Sequence, residues 1–247
     1  LIIDQGRQEI SDGWSSAQGG LQLSSSKLIE GWDLAVNYFH GYYSPGVIRQ
    51  TVTAPTFAPA PGGGFIQTAP GSLAYRIFYP EYDQFGASFS TTAGDFEIHG
   101  EAAYHKTKNK VMDDDYIAYI FGVNHTVDDG LPSWIEKVTT VLEYAGEEII
   151  RDRPRGSPFA DAGFSRAFTN SVFTRVKVSF SEDTEFEIGG GLNLGSNDYT
   201  VSSALSHSFN EHVEVEVGVN VFAGDSDSFF GGWDENSRAY LQTTFYF

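Results

Sequence analysis

Apolar and polar residues alternate with a period of two along most of this chain. In residues 212–222 (HVEVEVGVNVF) five valines fall on one side, and His212, Glu214, Glu216 and Asn220 fall on the other. Residues 184–194 set Phe186, Ile188, Leu192 and Leu194 against Glu185, Glu187 and Asn193. Residues 172–180 set Val172, Val176, Val178 and Phe180 against Arg175, Lys177 and Ser179. The last ten residues, 238–247, place Ala239, Leu241, Thr243, Phe245 and Phe247 opposite Arg238, Tyr240, Gln242, Thr244 and Tyr246. The same alternation predicts strands over 18–24, 32–42, 82–92, 96–105, 116–125, 134–144 and 199–209, which makes eleven. No helical period of three to four residues competes with them.

The connections alternate as well. Those at 25–31, 92–95, 181–183 and 210–211 are short, and those at 44–81, 106–115, 147–169 and 223–237 are long. Residues 195–198 are short on the long side, and 126–133 are intermediate on the short side. Strands of this length, apolar on one face and joined by unequal loops on two rims, predict an all-β fold. The specific expectation is a transmembrane antiparallel up-and-down β-barrel with short periplasmic turns and long extracellular loops. It comprises a single domain, 1–247, with its strands between about 18 and 247. Residues 1–16 read as a stub and loop, and 44–72 and 147–169 as long external loops, the first of them mobile because it is rich in Pro and Gly. A barrel with both termini on the short-turn side needs an even number of strands. Eleven is odd, so either residues 1–4 are the tail of a twelfth strand or N-terminal strands of a larger barrel are missing. The second reading is preferred, because the stub is too short to span.

Composition narrows the class. No apolar run approaches the roughly 18 residues of a spanning helix, so a helical membrane protein is excluded while a barrel is not. Aromatics make up 15% of the 247 residues and there are 27 glycines, a balance that favours strands. Absence of cysteine removes disulfides, thiolate metal sites and covalent haem attachment, and no cofactor is expected. A net charge of −18 argues against a nucleic-acid partner.

Two stretches carry family resemblances. Residues 238–247 (RAYLQTTFYF), ending on Phe247, resemble the terminal strand of Gram-negative outer-membrane proteins. Tyr79-Pro80-Glu81, Gly86-Ala87-Ser88-Phe89 and Gly100-Glu101-Ala102-Ala103-Tyr104 resemble a pattern in a family of large proteobacterial outer-membrane barrels, known mainly as a conserved domain of unknown function. That pattern runs Tyr-Pro-Glu-Asp, Gly-x-Ser-Phe and Gly-Glu-x-Ser-Tyr; here Tyr82 replaces the Asp and Ala103 the Ser. The resemblance implies an outer-membrane barrel and is silent on cargo.

In such a barrel the apolar face meets lipid and the polar face lines the lumen, so inward charges are the candidate functional residues. They are Glu97, His99, Glu101, His105, Lys137, Glu143, Arg175, Lys177, Glu185, Glu187, Glu214, Glu216 and Arg238. The hairpin at 181–183 is expected to set Lys177 beside Glu187, with Arg175 one step further along. An acidic arc facing a basic ladder would select solutes by charge; the plainer reading is that these charges pair and hydrate the interior. Glu97, His99, Glu101 and His105 have ligand-like spacing on one face, but same-face neighbours lie about 7 Å apart, so a metal would need a ligand from another strand and stays unassigned. Asp113-Asp114-Asp115 and Asp225-Ser226-Asp227 are candidate Ca²⁺ loops whose plainer reading is solvated tips. Ser206 and Ser208 near His212 lack an orienting group and an oxyanion donor, so no enzyme is expected. Trp32 and Trp134 towards one rim, and Tyr42, Tyr199 and Trp233 towards the other, suit an interfacial girdle.

The expected function is an outer-membrane channel or porin passing small solutes by diffusion. The alternative is a scaffold barrel of an envelope complex with a plugged or partner-filled lumen. Expected partners are outer-membrane lipid and lipopolysaccharide, small solutes, and an envelope protein or further copies of the chain, but no nucleic acid. The expected location is the bacterial outer membrane.

Overall fold

The computed structural model describes residues 2–8, 10, 16–161 and 166–247. Among them are seventeen strands. In chain order, β1 is Ile2–Arg7, β2 Gly19–Ser25, β3 Trp32–Tyr42, β4 Val47–Thr53, β5 Thr56–Pro59 and β6 Phe65–Ala69. β7 is Ser72–Phe78, β8 Glu81–Ala93, β9 Phe96–Thr107, β10 Asp115–Val127, β11 Lys137–Arg151 and β12 Phe159–Asp161. β13 is Asn170–Ser181, β14 Thr184–Asn193, β15 Asp198–Asn210, β16 Val213–Ala223 and β17 Arg238–Phe245. A 3-10 helix, Gly231–Asn236, precedes β17.

Eleven strands form one antiparallel sheet in the order β17-β16-β15-β14-β13-β11-β10-β9-β8-β3-β2. These are the eleven that alternation predicts, and each pairs with its neighbour in sequence within the sheet. On the short-turn rim this pairing follows from turns too short to permit any other partner, and the hairpins so formed lie side by side in chain order across the longer excursions. The sheet is open: β2 and β17 are its edges, and no pairing between them occurs among the described residues. Both edge strands run towards the rim of short turns, since β2 leads into residues 26–31 and Phe245 of β17 sits opposite Val213.

Register sorts the side chains strictly. On β16, Glu214, Glu216 and Asn220 oppose Thr244, Gln242 and Arg238, while Val215, Val217 and Val219 oppose Thr243, Leu241 and Ala239. The apolar face is not packed against a second layer: Leu21 is 63% exposed, Leu142 54%, Val217 51% and Leu241 72%. Among the described residues the only buried hydrophobic side chains are Val47, Tyr116 and Phe230. The accessible surface of 16108 Å² compares with about 10,800 Å² for a compact soluble chain of this mass. A β-sandwich, which buries alternate residues between two sheets, is therefore excluded for this chain.

The long excursions differ from the sequence expectation. Against the expectation of a stub and loop over 1–16 and a mobile loop over 44–72, β1, β4 and the start of β7 lie there, as do β5 and β6. β1, β4 and β7 join a four-stranded sheet of order β1-β7-β4-β12, in which β1 and β7 are parallel. β5 and β6 form a separate hairpin. Likewise 147–169 is not all loop, because β11 continues to Arg151 and β12 pairs with β4. Val47 is fully buried in this small sheet, and Phe78 meets Phe159 edge-on at 5.4 Å. Pro and Gly density concealed these strands, whose partners are distant in sequence rather than across a tight turn. The other difference is at Trp134, which precedes β11 and stacks on Phe180 at 5.9 Å.

Candidate functional site: a charged wall and its sealed rim

All thirteen charged candidates fall on the polar face, as the pairings of the large sheet show. One row across the sheet reads His99, Gly122, Glu143, Phe173, Gly191. The next reads Val141, Arg175, Gly189, Ser202, Asn220, Arg238. The next reads Thr139, Lys177, Glu187, Ala204, Gly218, Tyr240.

Two concavities gather most of these side chains. One of about 660 Å³ is lined by Glu97, His99, Glu143, Arg175 and Glu187. A second of about 460 Å³ is lined by Lys177, Glu185, Glu187, Glu214 and Glu216. Glu187 and Ser202 border both. Glu101, His105, Lys137 and Arg238 lie outside them.

Local pairs organise the wall. Lys177 is the register partner of Glu187, as expected, but its ammonium lies 2.6 Å from Glu185 Oε2. His99 Nε2 is 3.0 Å from Glu143 Oε1. Glu97 accepts from Ser90 Oγ and Asn124 Nδ2, each at 3.3 Å. Tyr240 donates to Glu216 at 2.7 Å while lying across Gly218, where any Cβ would collide with its ring. Glycine opposite a large side chain is what lets that side chain lie flat and reach the next strand.

His105 is the exception among the candidates. It shares the polar face but is only 3% exposed, stacked between Tyr82 at 4.4 Å and Tyr116 at 4.6 Å. Its Nε2 faces Asp113 Oδ2 at 3.3 Å. Asp113 and the Tyr43 ring, edge-on at 5.3 Å, complete its surroundings, so His105 belongs to the rim and not to the open wall.

That rim is an ionic cluster invisible to local pattern. Against the expectation of solvated tips or a Ca²⁺ loop, Asp113, Asp114 and Asp115 are all buried. Arg151 grips Asp115 with Nε at 2.7 Å and Nη2 at 3.0 Å, a bidentate clamp. Arg153 reaches Asp114 through its backbone N–H at 2.7 Å and Nη2 at 3.1 Å. Arg166 adds a contact to Asp114 at 2.8 Å, pairs with Glu147, and lies 4.5 Å over the Tyr116 ring. Burial pushes the Asp114 carboxyl upward, but Arg153 and Arg166 outweigh it and hold the group below the ordinary carboxylate range. Guanidinium groups thus occupy the positions a cation would take, and no group of three ligands able to hold a metal occurs among the described residues. The readable hint was complementarity: Asp113-Asp114-Asp115 and Arg151-x-Arg153-x-Arg155 lie on consecutive excursions of one rim.

The serine and histidine candidates do not assemble. Ser206 and Ser208 oppose Glu216 and Glu214, and His212 Nδ1 lies 3.1 Å from the Tyr246 carbonyl. Trp32 opens β3 at the short-turn rim and Trp233 lies in the 3-10 helix of the opposite rim.

Residues 4–226 match the family model described as "Protein of unknown function (DUF1302)". The chain belongs to the DUF1302 family. The matched span takes in residues 79–104, which carry the resemblance noted above, and most of the charged wall. No curated protein and no solved structure matches the chain.

Proposed function

We propose that this DUF1302 protein is a β-barrel of the bacterial outer membrane through whose polar lumen small solutes diffuse, without chemistry of its own. One observation carries the reading: a single sheet has one face apolar and exposed along its length, and the other polar and charged. Exposed apolar surface on this scale is stable only against hydrocarbon or another protein surface. In this reading the outward side chains meet lipid, and Trp32 and Trp134 on one rim and Trp233 on the other sit at the two interfaces with lipid and lipopolysaccharide. Because β2 and β17 run the same way, closing the wall with antiparallel neighbours requires an odd number of further strands. Seven carboxylates (Glu97, Glu101, Glu143, Glu185, Glu187, Glu214, Glu216) against four permanent cations (Lys137, Arg175, Lys177, Arg238) favour cations in the lumen.

A scaffold with a filled lumen is the second reading, favoured by one observation. Arg166 crosses onto the polar face to pair with Glu147 and cover Tyr116, so part of that face is sealed by its own chain. Reconstitution in planar bilayers separates the two. A channel gives stepwise current; a filled scaffold inserts and gives none.

A further inference from the structure

Among the charged side chains that line the two concavities, the chain leaves one cation and one carboxylate uncommitted. Lys177 takes Glu185, His99 takes Glu143, and Glu97 is held by Ser90 and Asn124. Among the described residues Arg175 and Glu187 have no ion pair with each other or with any other group. Both line the 660 Å³ concavity. They sit on adjacent strands as diagonal neighbours, Arg175 opposite Gly189 and Glu187 opposite Lys177. Such positions are about 7–8 Å apart. Gly189 keeps the floor between them open, since a Cβ there would lie 3.0 Å from the Thr174 carbonyl and 3.4 Å from Arg175 Cβ. Ser202, the partner of Gly189 on the far side, adds a hydroxyl to the same hollow.

A guanidinium with free donors recognises a carboxylate in a planar, two-point fashion. A carboxylate one diagonal step away accepts from an ammonium. We infer that this hollow takes a small zwitterionic solute of the amino-acid type, with its carboxylate on Arg175 and its ammonium on Glu187. The inference rests on the channel reading, since only an open lumen brings solute to that wall. It also explains why a wall with a carboxylate excess keeps a cation unpaired at its middle.

The test uses the purified chain in planar bilayers, with L-alanine as zwitterion and propionate and propylammonium as single-charge controls. The readout is the concentration of each that halves single-channel current in KCl. Alanine is expected to act at a concentration about two- to fivefold lower than either control, the range one solvent-screened ionic contact supplies. Arg175→Gln and Glu187→Gln should each abolish that advantage while KCl conductance persists, and the swapped pair Arg175→Glu with Glu187→Arg should restore it. Equal potency of the three probes on the unaltered channel, or an advantage that survives both single variants, overturns the inference and leaves the channel standing. Absence of any current removes the channel reading and this inference with it.

Discussion

His99 reaches Glu143 across an intervening strand: Nε2 and Oε1 are 3.0 Å apart although β10 separates their backbones. The residue between them in the row is Gly122, and a Cβ there would overlap His99 Nε2 and come within 2.9 Å of Glu143 Cγ. The pair exists because the middle strand offers no side chain. Gly122→Ala is expected to break it and to cost about 1 kcal/mol, the net worth of one such hydrogen bond. Thermal unfolding in detergent measures this, with His99→Ala as the second arm of a cycle. If Gly122→Ala lowers Tm as much in the His99→Ala background as in the parent, the glycine has another role.

The rim cluster should fail when one member is removed. Arg166→Ala leaves Asp114 and Glu147 buried with part of their compensation gone, and loss of one partner from a buried ion pair costs about 3–5 kcal/mol. Local loosening is read by trypsin at the exposed bond after Arg155. Cleavage there should accelerate at least several-fold over the parent, and the same rate in both proteins would show that Arg166 does not hold the segment.

Acid should release the same cluster. The folded-state pKa of Asp114 lies below its unfolded value, so its charged form is favoured by folding. That contribution is complete above the ordinary carboxylate pKa of about 3.9 and is lost as pH falls through the lower folded value. The groups facing Asp114 are Arg153 and Arg166, with Glu147 beyond Arg166 and the His105–Asp113 pair beside it. Hydrogen exchange at residues 108–114, corrected for intrinsic rate, should be alike at pH 5 and 7 and faster at pH 2.5. Protection already lost at pH 5 would contradict the depressed value.

The two faces should respond oppositely to a new charge. Val217→Arg places a cation on the apolar face and is expected to cost about 2–4 kcal/mol for folding into lipid vesicles if that position lies near the bilayer midplane. Ser202→Arg, on the polar face, should fold nearly as the parent does. Equal folding yields for the two variants would argue that Val217 does not face hydrocarbon.

If the proposed channel is open, charge reversal at Glu214 and Glu216 should move its ion selectivity towards anions. Both line the 460 Å³ concavity beside Lys177. Reversal potentials in a KCl gradient give the answer directly, and unchanged potentials for the doubly substituted channel would exclude that pair from selectivity.

Period-two alternation was sufficient for the eleven strands of the large sheet, their order and the face each side chain takes. The reason is local: across a short turn a strand has one available neighbour, the hairpins then follow one another in chain order, and the pleat assigns the faces. The thirteen charged candidates were found the same way, including the register of Lys177 against Glu187. What alternation could not supply was the choice among close neighbours, so that Lys177 turns to Glu185 and His99 crosses Gly122.

The long excursions were illegible for the opposite reason. β4 is paired by β7 and β12, and β7 by β1, partners separated by stretches whose Pro and Gly content suppresses any periodic reading. The burial of Asp113, Asp114 and Asp115 depends on arginines up to 52 residues away. Thus the chain's own pattern determined a two-faced antiparallel wall, because strand faces and hairpin partners are decided within a few residues. Tertiary structure alone decided how the rim is sealed and which charges on the wall stay uncommitted, because those outcomes depend on distances between side chains brought together only by the folded sheet.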